Sequence, residues 1–265
     1  MDFLLKKYYM DLVTPQGDVV LCYASELRLG VLTIRHASVL CAEQGKEVKS
    51  FQTFTRGVMP TLDGSYCHWH CGCLRVRGEW EAMMPPAETQ CLYEAEPGKD
   101  IIWECLMPRA KGRIILNNQC YEGEGYVECL TMRLEPWNLP MKQLVWGRFH
   151  GVDGETCVWI RWSKGRCLSL FIQGNNVERS FKDLDVAETG EMMTGNHFGM
   201  VFEESQVLRH GDISKTALRY LPKAAKMLLP QSILHLEETK WLSKTFFATC
   251  EKKDHGYSIH EIVKF

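Results

Sequence analysis

The sequence predicts an all-β protein with a minor α component, arranged as two antiparallel β-barrels in tandem. Runs with strand character recur at roughly ten-residue spacing, and turn residues separate most of them. Only one segment, residues 215–244, carries apolar residues at helical spacing. Eight strands of about seven residues with their turns need roughly 100 to 130 residues, so the chain is long enough for two such barrels.

The first half of the chain predicts a series of strands separated by turns. Residues 8–13 and 19–23 flank a turn, and residues 27–40 form one run in which Gly30 marks a bulge or bend. The tetrapeptide at residues 62–65, LDGS, is a strong turn signal. Further strands are expected at 47–55, 66–77, 79–84, 90–95, 100–107 and 113–117, with breaks at Gly78, at 97–98 and at 111–112.

The second half repeats this rhythm. The Asp-Gly pair within residues 152–155 predicts a hairpin turn, and strands are expected at 156–162, 167–173, 199–208, 241–250 and 256–265. In the helical segment Pro222 fits a first turn and Pro230 should end or kink the helix. Faint internal similarity places the boundary near residues 134–136. We therefore expect domains at 1–134 and 135–265.

Composition excludes several classes of protein. The net charge of −2 favours neither nucleic acid nor an anionic membrane as a partner. Twelve cysteines in 265 residues are too sparse for a disulfide scaffold. The N-terminus lacks the order of a signal peptide, and no apolar run approaches the roughly 20 residues of a transmembrane helix. We expect a cytoplasmic protein with reduced thiols and no transmembrane segment.

Residues 121–150 hold ionisable groups where core residues are expected. In the first of two strand-like runs, the pleat puts Tyr126 and Glu128 on one face. In the second run, Trp146 and Arg148 share a face. If the two runs pair, the carboxylate and the guanidinium meet inside an apolar sheet, where either charge alone is very costly.

Four motifs give the chain a family resemblance. They are Gly-x-Gly-Tyr-x-Glu at 123–128, Pro-Trp at 136–137, Trp-Gly-Arg-Phe at 146–149 and Gly-Tyr-x-Ile-His-Glu at 256–261. The chain resembles the two-domain lipocalin-like (calycin) group of carotenoid 1,2-hydratases, tocopherol cyclases, AttH-type proteins and fungal Diels–Alderases. The resemblance implies two lipocalin-like barrels, no organic cofactor, and a hydrophobic polyene or prenylated substrate. The histidine and the Asn/Gln-Trp-Gly stretch of the hydratases are absent, since Val127 and residues 129–132 stand there.

The chemistry of that group points to Glu128 and Tyr126 as catalytic residues. A carboxylic acid in an apolar cavity can stay protonated near neutrality and protonate an alkene. Tyr126 would orient the acid or relay a proton, and Trp146 would stabilise a developing cation. Arg148 has two alternatives: a structural pair with Glu128, or a grip on a substrate carboxylate or carbonyl.

Residues 67–73, CHWHCGC, form the other unusual run. His68 and His70 share one strand face, and Trp69 lies on the other with Cys67, Cys71 and Cys73. Two histidines supply at most two ligands and no paired CxxC completes a set, so we expect no metal site. We expect thiols buried on one face, and His68, His70 and Trp69 remain candidates for lining a ligand cavity.

The sequence therefore predicts a cofactor-independent cyclase, hydratase or isomerase acting on a hydrophobic natural-product intermediate, with Glu128 as acid or substrate anchor. A non-catalytic carrier of an apolar small molecule is the alternative, and a filled barrel with an interaction role is a third. The sequence has no phosphate-binding glycine loop, nucleophile elbow or H-E-x-x-H motif. It leaves the substrate and the oligomeric state open.

Overall fold

The protein is described here from a computed structural model. It covers residues 3–54, 56–140, 142–162, 167–173, 176–180, 185–186, 192–194, 198–212, 236–250 and 252–264, with the backbone alone over 162–194. The chain divides into two compact units, Met1–Glu135 and Pro136–Phe265. Each unit contains one antiparallel sheet, so the predicted all-β fold class is confirmed.

The first unit is a ten-stranded sheet. Its strands are β1 (Phe3–Val13), β2 (Val19–Leu29), β3 (Leu32–Ala42), β4 (Lys49–Phe54), β5 (Thr61–Asp63), β6 (Tyr66–Cys71), β7 (Val76–Ala82), β8 (Gln90–Glu96), β9 (Lys99–Leu116) and β10 (Gln119–Met132). They run in the order β4-β3-β2-β1-β10-β9-β7-β6-β5, and β8 pairs with β9. The first strand is thus hydrogen-bonded to the last, which brings Tyr9 beside Glu128.

The described residues of the second unit repeat the arrangement with nine strands. They are β11 (Gln143–Gly151), β12 (Thr156–Trp162), β13 (Cys167–Gln173), β14 (Asn176–Ser180), β15 (Asp185–Val186), β16 (Met192–Thr194), β17 (Phe198–Asp212), β18 (Glu237–Thr249) and β19 (Lys253–Lys264). Their order is β14-β13-β12-β11-β19-β18-β17-β16-β15, so the first strand again pairs with the last. This shared order gives the two units the same barrel-like topology.

Each sheet packs one face against its own hydrophobic core. Alternate residues point to opposite faces of a strand, so every second position of β1 and β10 reaches the first core. That core includes Met10, Leu12, Val20, Val39, Trp69, Trp80 and Val127. The second core includes Val145, Phe149, Trp159, Met200, Phe202 and Phe247.

Three glycines were assigned the wrong roles from the sequence. Gly30 belongs to a two-residue turn that separates β2 from β3, with φ of +57°, so the single predicted run 27–40 is wrong. Gly78 and Gly112 lie inside β7 and β9 and end neither strand. A Cβ at Gly78 would lie 2.4 Å from the Trp80 ring, and one at Gly112 would lie 2.8 Å from Leu12. These two glycines therefore make room for core side chains.

The predicted helix is wrong at its C-terminal end. Glu237–Thr249 is strand β18, which pairs with β17 and β19, so residues 237–244 are not helical. The remainder of that prediction, up to residue 235, lies outside the described residues. None of the helices in the described part of the chain has the length and apolar character to cross a membrane.

Candidate functional site

Two hydrogen-bond donors converge on one oxygen of Glu128. The Tyr126 hydroxyl donates to Oε2 at 2.7 Å, and the Trp103 indole Nε1 donates to the same oxygen at 2.7 Å. Tyr126 and Trp103 are almost completely buried, while Glu128 is partly buried. The predicted shared face of Tyr126 and Glu128 is therefore present, and β9 adds a third member.

This cluster lies on the sheet face opposite the first core. Its neighbours along β10, Val127 and Cys129, belong to that core, so Tyr126 and Glu128 point the other way. The register between β10 and β9 shifts on both sides of Val127, while the pairing of β10 with β1 stays regular. The irregular strand is β9, which contains Pro108 at this point, and proline cannot donate to the ladder. The bulge places Cys105 directly opposite Glu128.

The groups around Glu128 are held in their neutral forms. Burial, followed by the nearby Cys105 and Glu128, raises the pKa of Tyr126 well above its ordinary value. Burial likewise raises the pKa of the Cys105 thiol. Tyr126 is therefore a phenol over the physiological pH range, which suits its role as a hydrogen-bond donor.

Aromatic side chains extend the same face onto β1 and β2. The ring centroids of Tyr9 and Tyr126 are 6.1 Å apart, and those of Tyr9 and Tyr23 are 5.2 Å apart in an edge-on arrangement. Both tyrosines are buried. Together with Trp103, these rings make the sheet face that carries Glu128 largely aromatic.

The sequence did not single out Trp103, Tyr9, Tyr23 or Cys105 as site residues. A usable signal existed, because a buried indole N–H needs a hydrogen-bond acceptor. The alternation of β9 also puts Trp103 and Cys105 on one face. Their proximity to Glu128 depends on the register of β9 against β10, which lies beyond local sequence patterns.

In the second unit, Trp146 and Arg148 share the face of β11 that points away from the core formed by Val145 and Phe149. Arg148 is fully buried, and its Nη1 lies 3.5 Å from the carbonyl oxygen of Tyr257. The Nζ atom of Lys240 lies 5.3 Å from the Trp146 ring centroid, a cation–π geometry. Trp146 and Arg148, the two candidate binding residues, are thus held by contacts on this face of the sheet.

Lys240 belongs to a ladder of charged side chains beside Trp146. Registers across β11, β19 and β18 align Trp146, Glu261 and Lys240. Lys240 is only 2% exposed, forms an ion pair with Glu261, and lies 3.8 Å from Glu238. Two carboxylates therefore compensate one buried ammonium group.

The two runs that carry Glu128 and Arg148 do not pair as strands. Among the described residues, β10 is hydrogen-bonded to β1 and β9, and β11 to β12 and β19. The condition of that expectation, direct pairing of the two runs, is therefore not met, because β10 and β11 belong to different sheets. An ion pair between Glu128 and Arg148 stays a prediction.

The histidines of residues 67–73 occupy the exposed face of β6. His68 and His70 are exposed, whereas Trp69, Cys67 and Cys71 are buried in the first core, which is the expected alternation. The expectation is wrong for Cys73, which is exposed because β6 ends at Cys71 and a 3-10 turn follows. The Trp69 indole donates to the carbonyl oxygen of Val58 at 2.7 Å. His68 and His70 line an open cleft of about 460 Å³ that also includes Arg77 and Glu79. Strands β7 and β9 separate β6 from β10, so the sheet does not bring these histidines next to Glu128.

His260 lies inside the second unit. Its Nε2 is 2.8 Å from the Ser243 hydroxyl, and its ring stacks between Phe202 and Trp241 at centroid distances of 4.1 and 5.1 Å. Burial, and to a lesser degree the charge of Lys240, lowers the pKa of His260 to about 3. The imidazole is therefore neutral near pH 7. Over the part of the chain that the structure describes, no three His, Cys, Asp or Glu side chains are grouped to hold a metal ion.

Known proteins resemble this chain in fold but share little sequence identity with it. No family model matches the chain, and no curated protein matches it by sequence. Kievitone hydratase from Nectria haematococca is similar in structure, with a TM-score of 0.57 and 12% identity over 98% of this chain and 88% of that one. CghA with Sch210972 has a TM-score of 0.59 at 9% identity, covering 99% and 89%.

A third similar structure is a putative AttH protein from Nitrosomonas europaea. Its TM-score is 0.56 at 8% identity, covering 99% of this chain and 92% of that one. The resemblance to hydratase and AttH-type proteins stated from the sequence is thereby confirmed for the fold, which spans both units.

Proposed function

We propose that this protein is a cofactor-independent enzyme that converts a hydrophobic natural-product intermediate, as a cyclase, hydratase or isomerase. Glu128 is the acid or the substrate anchor in this proposal, and Tyr126 is its polar partner. The observation that carries the proposal is the pair of donors, from Tyr126 and Trp103, on one carboxyl oxygen within an aromatic face.

Two donors on Oε2 support a carboxyl group that is held in a defined position. In this proposal the protonated carboxyl group donates its proton to an alkene or carbonyl of the substrate. The ionised carboxylate would instead accept a hydrogen bond from a substrate hydroxyl. Tyr126 and Trp103 hold the carboxyl group in one orientation for either role.

The aromatic surroundings favour a hydrophobic, electron-rich substrate. Tyr9 lies opposite Glu128 in the register of β1 with β10, and its ring centroid is 6.1 Å from that of Tyr126, which supports a substrate site lined by aromatic faces. Such faces attract a cation that develops when an alkene is protonated. The similarity to a protein named as a hydratase, and to CghA in a structure with Sch210972, supports chemistry on a small organic molecule.

The test begins with the ligand. Native mass spectrometry of the protein purified from its own host should reveal a co-purifying apolar compound, whose conversion by the wild-type protein is then followed by chromatography. General acid–base catalysis typically contributes about 10² to 10⁴ in rate, so Glu128→Gln should lower turnover by that factor while the compound still binds.

A matched control separates chemistry from folding. Glu122→Gln makes the same change at an exposed position of β10 and should leave turnover unchanged. Unaltered turnover in Glu128→Gln would contradict the acid role. Binding without conversion by the wild-type protein would favour a non-catalytic carrier.

A further inference from the structure

Two thiols meet at the end of β6, in a part of the first unit that the proposed function does not use. The Sγ atoms of Cys71 and Cys73 are 3.3 Å apart. Both also lie near the carbonyl oxygen of Arg56, at 4.0 and 3.9 Å. An ordinary disulfide has an S–S distance of about 2.0 Å, so a small side-chain rotation brings the two sulfurs to bonding distance.

The backbone between the two thiols is bent and unobstructed. A 3-10 turn spans Gly72–Leu74, directly after Cys71, and is capped by Arg75 with φ of 50°. In an extended strand, the side chains of residues i and i+2 lie on one face but farther apart. The bend brings the side chains of Cys71 and Cys73 together. A Cβ at Gly72 would meet no atom within 4 Å, so the backbone there has room to adjust.

The two thiols differ in access. Cys73 is exposed and Cys71 is buried. Burial, with the hydrogen bond to Cys73 as the next cause, raises the pKa of Cys71 to about 11. An external oxidant therefore reaches Cys73 first, and Cys71 is the second thiol to react.

We propose that Cys71 and Cys73 form a reversible intramolecular disulfide in exchange with glutathione disulfide. The Cys73 thiolate attacks one sulfur of glutathione disulfide, and the S–S bond breaks to release one glutathione. Cys71 then attacks the Sγ atom of Cys73 and displaces the second glutathione, as its own proton passes to solvent. Two protein thiols are oxidised to one disulfide, and one glutathione disulfide is reduced to two glutathione molecules.

This site is separate from the Glu128 cluster. It borders the cleft lined by His68, His70 and Gly72. It also holds the Arg56 carbonyl group, at the start of the connection between β4 and β5. Oxidation removes both S–H groups that lie beside that carbonyl oxygen.

The experiment uses the reduced full-length chain and glutathione disulfide. After acid quenching, the protein is denatured, its remaining thiols are alkylated, and the digest is analysed by tandem mass spectrometry. The expected product carries a Cys71–Cys73 disulfide, while buried Cys67 on the same strand is alkylated. Exposed Cys91 and Cys120 are expected to carry glutathione adducts, which provide an internal reference.

Single variants trap the intermediate. Cys71→Ala should retain glutathione on Cys73, at roughly tenfold or more above the wild-type level, because the resolving thiol is missing. Cys73→Ser should leave Cys71 alkylated and free of glutathione, since Cys71 is buried. Circular dichroism verifies that each variant is folded.

Two results would overturn the proposal. One is a wild-type Cys73 that keeps its glutathione adduct as fully as Cys91 does. The other is complete alkylation of both Cys71 and Cys73 under conditions that modify Cys91 and Cys120. Failure of the Glu128 experiment would leave both readouts unaffected, so the two proposals fail separately.

Discussion

The Tyr126 hydroxyl donates a 2.7 Å hydrogen bond to Oε2 of Glu128, two residues further along β10. A strand places residues i and i+2 on one face, and burial of Tyr126 leaves its hydroxyl few other acceptors of equal strength. The bond fixes the carboxyl orientation on which the proposed chemistry depends. It can be removed without any change in the size of the ring.

Tyr126→Phe should destabilise the protein by about 1 to 3 kcal/mol, because a buried donor to a carboxyl group is lost. Urea denaturation followed by tryptophan fluorescence gives the free energy of unfolding. Tyr66→Phe is the matched control, since exposed Tyr66 donates to Glu81 at 2.9 Å. That control should leave the free energy of unfolding unchanged. Equal losses in the two variants would contradict a special role for the Tyr126 bond.

Gly112→Ala should destabilise the first unit by about 1 to 3 kcal/mol through overpacking. The added Cβ would lie 2.8 Å from Leu12 Cδ1 and 3.3 Å from Trp80 Cδ1, inside the core. Gly199→Ala is the control, because a Cβ there meets no atom within 4 Å. Thermal unfolding of both variants measures the difference. A tolerated alanine at position 112 would mean that the space beside Trp80 is larger than described.

Lys240→Met should cost about 3 to 5 kcal/mol, since it leaves Glu261 without its buried cation, while Glu238 keeps its ion pair with Arg209. Lys244→Met alters the same strand four residues later, where the lysine is exposed and pairs with exposed Glu204. We expect no measurable change from the control. Chemical denaturation of both variants at one ionic strength provides the comparison. A stable Lys240→Met protein would argue that Glu261 becomes protonated at little cost.

His260 should make the protein less stable as the pH falls. Its pKa is lowered from 6.5 to about 3 in the folded state, so between these values the unfolded chain binds a proton that the folded chain does not. Stability therefore falls with decreasing pH in this window, by up to about 1.4 kcal/mol per pH unit from this group.

The variant His260→Gln tests this dependence, because glutamine can bond to Ser243 and does not titrate. Urea denaturation of both proteins at pH 7, 6 and 5 gives two slopes of stability against pH. The wild-type slope should be the steeper of the two. Parallel slopes would show that His260 does not titrate on unfolding in this range.

Local patterns in the sequence were sufficient for most of the strands and for several turns. The LDGS and Asp-Gly turns connect strands as predicted, because glycine and aspartate favour turn geometry. The same rule failed at Gly78 and Gly112. Those residues are glycines because Trp80 and Leu12 occupy the space where a side chain would project. A turn glycine and a packing glycine look alike in a sequence.

The candidate site was only half visible in the sequence. Tyr126 and Glu128 were placed on one face by the period of a strand, which needs no knowledge of the fold. Trp103 lies 25 residues away from Glu128 in the chain, and the bulge at Pro108 sets which residue of β9 faces the carboxyl group. Register of this kind is decided when strands pair, because backbone hydrogen bonding fixes it jointly with packing on both faces.

By itself the sequence determined an all-β chain with two similar halves and a carboxylate–tyrosine pair on one strand. Alternation and turn residues act over a few neighbouring positions, so these features can be read from short segments. Only the tertiary structure decided that Trp103 completes the carboxylate cluster, that Lys240 is buried between carboxylates, and that residues 237–244 form a strand. Each of these depends on a partner strand distant in sequence, whose contacts outweigh local preference when the sheet closes.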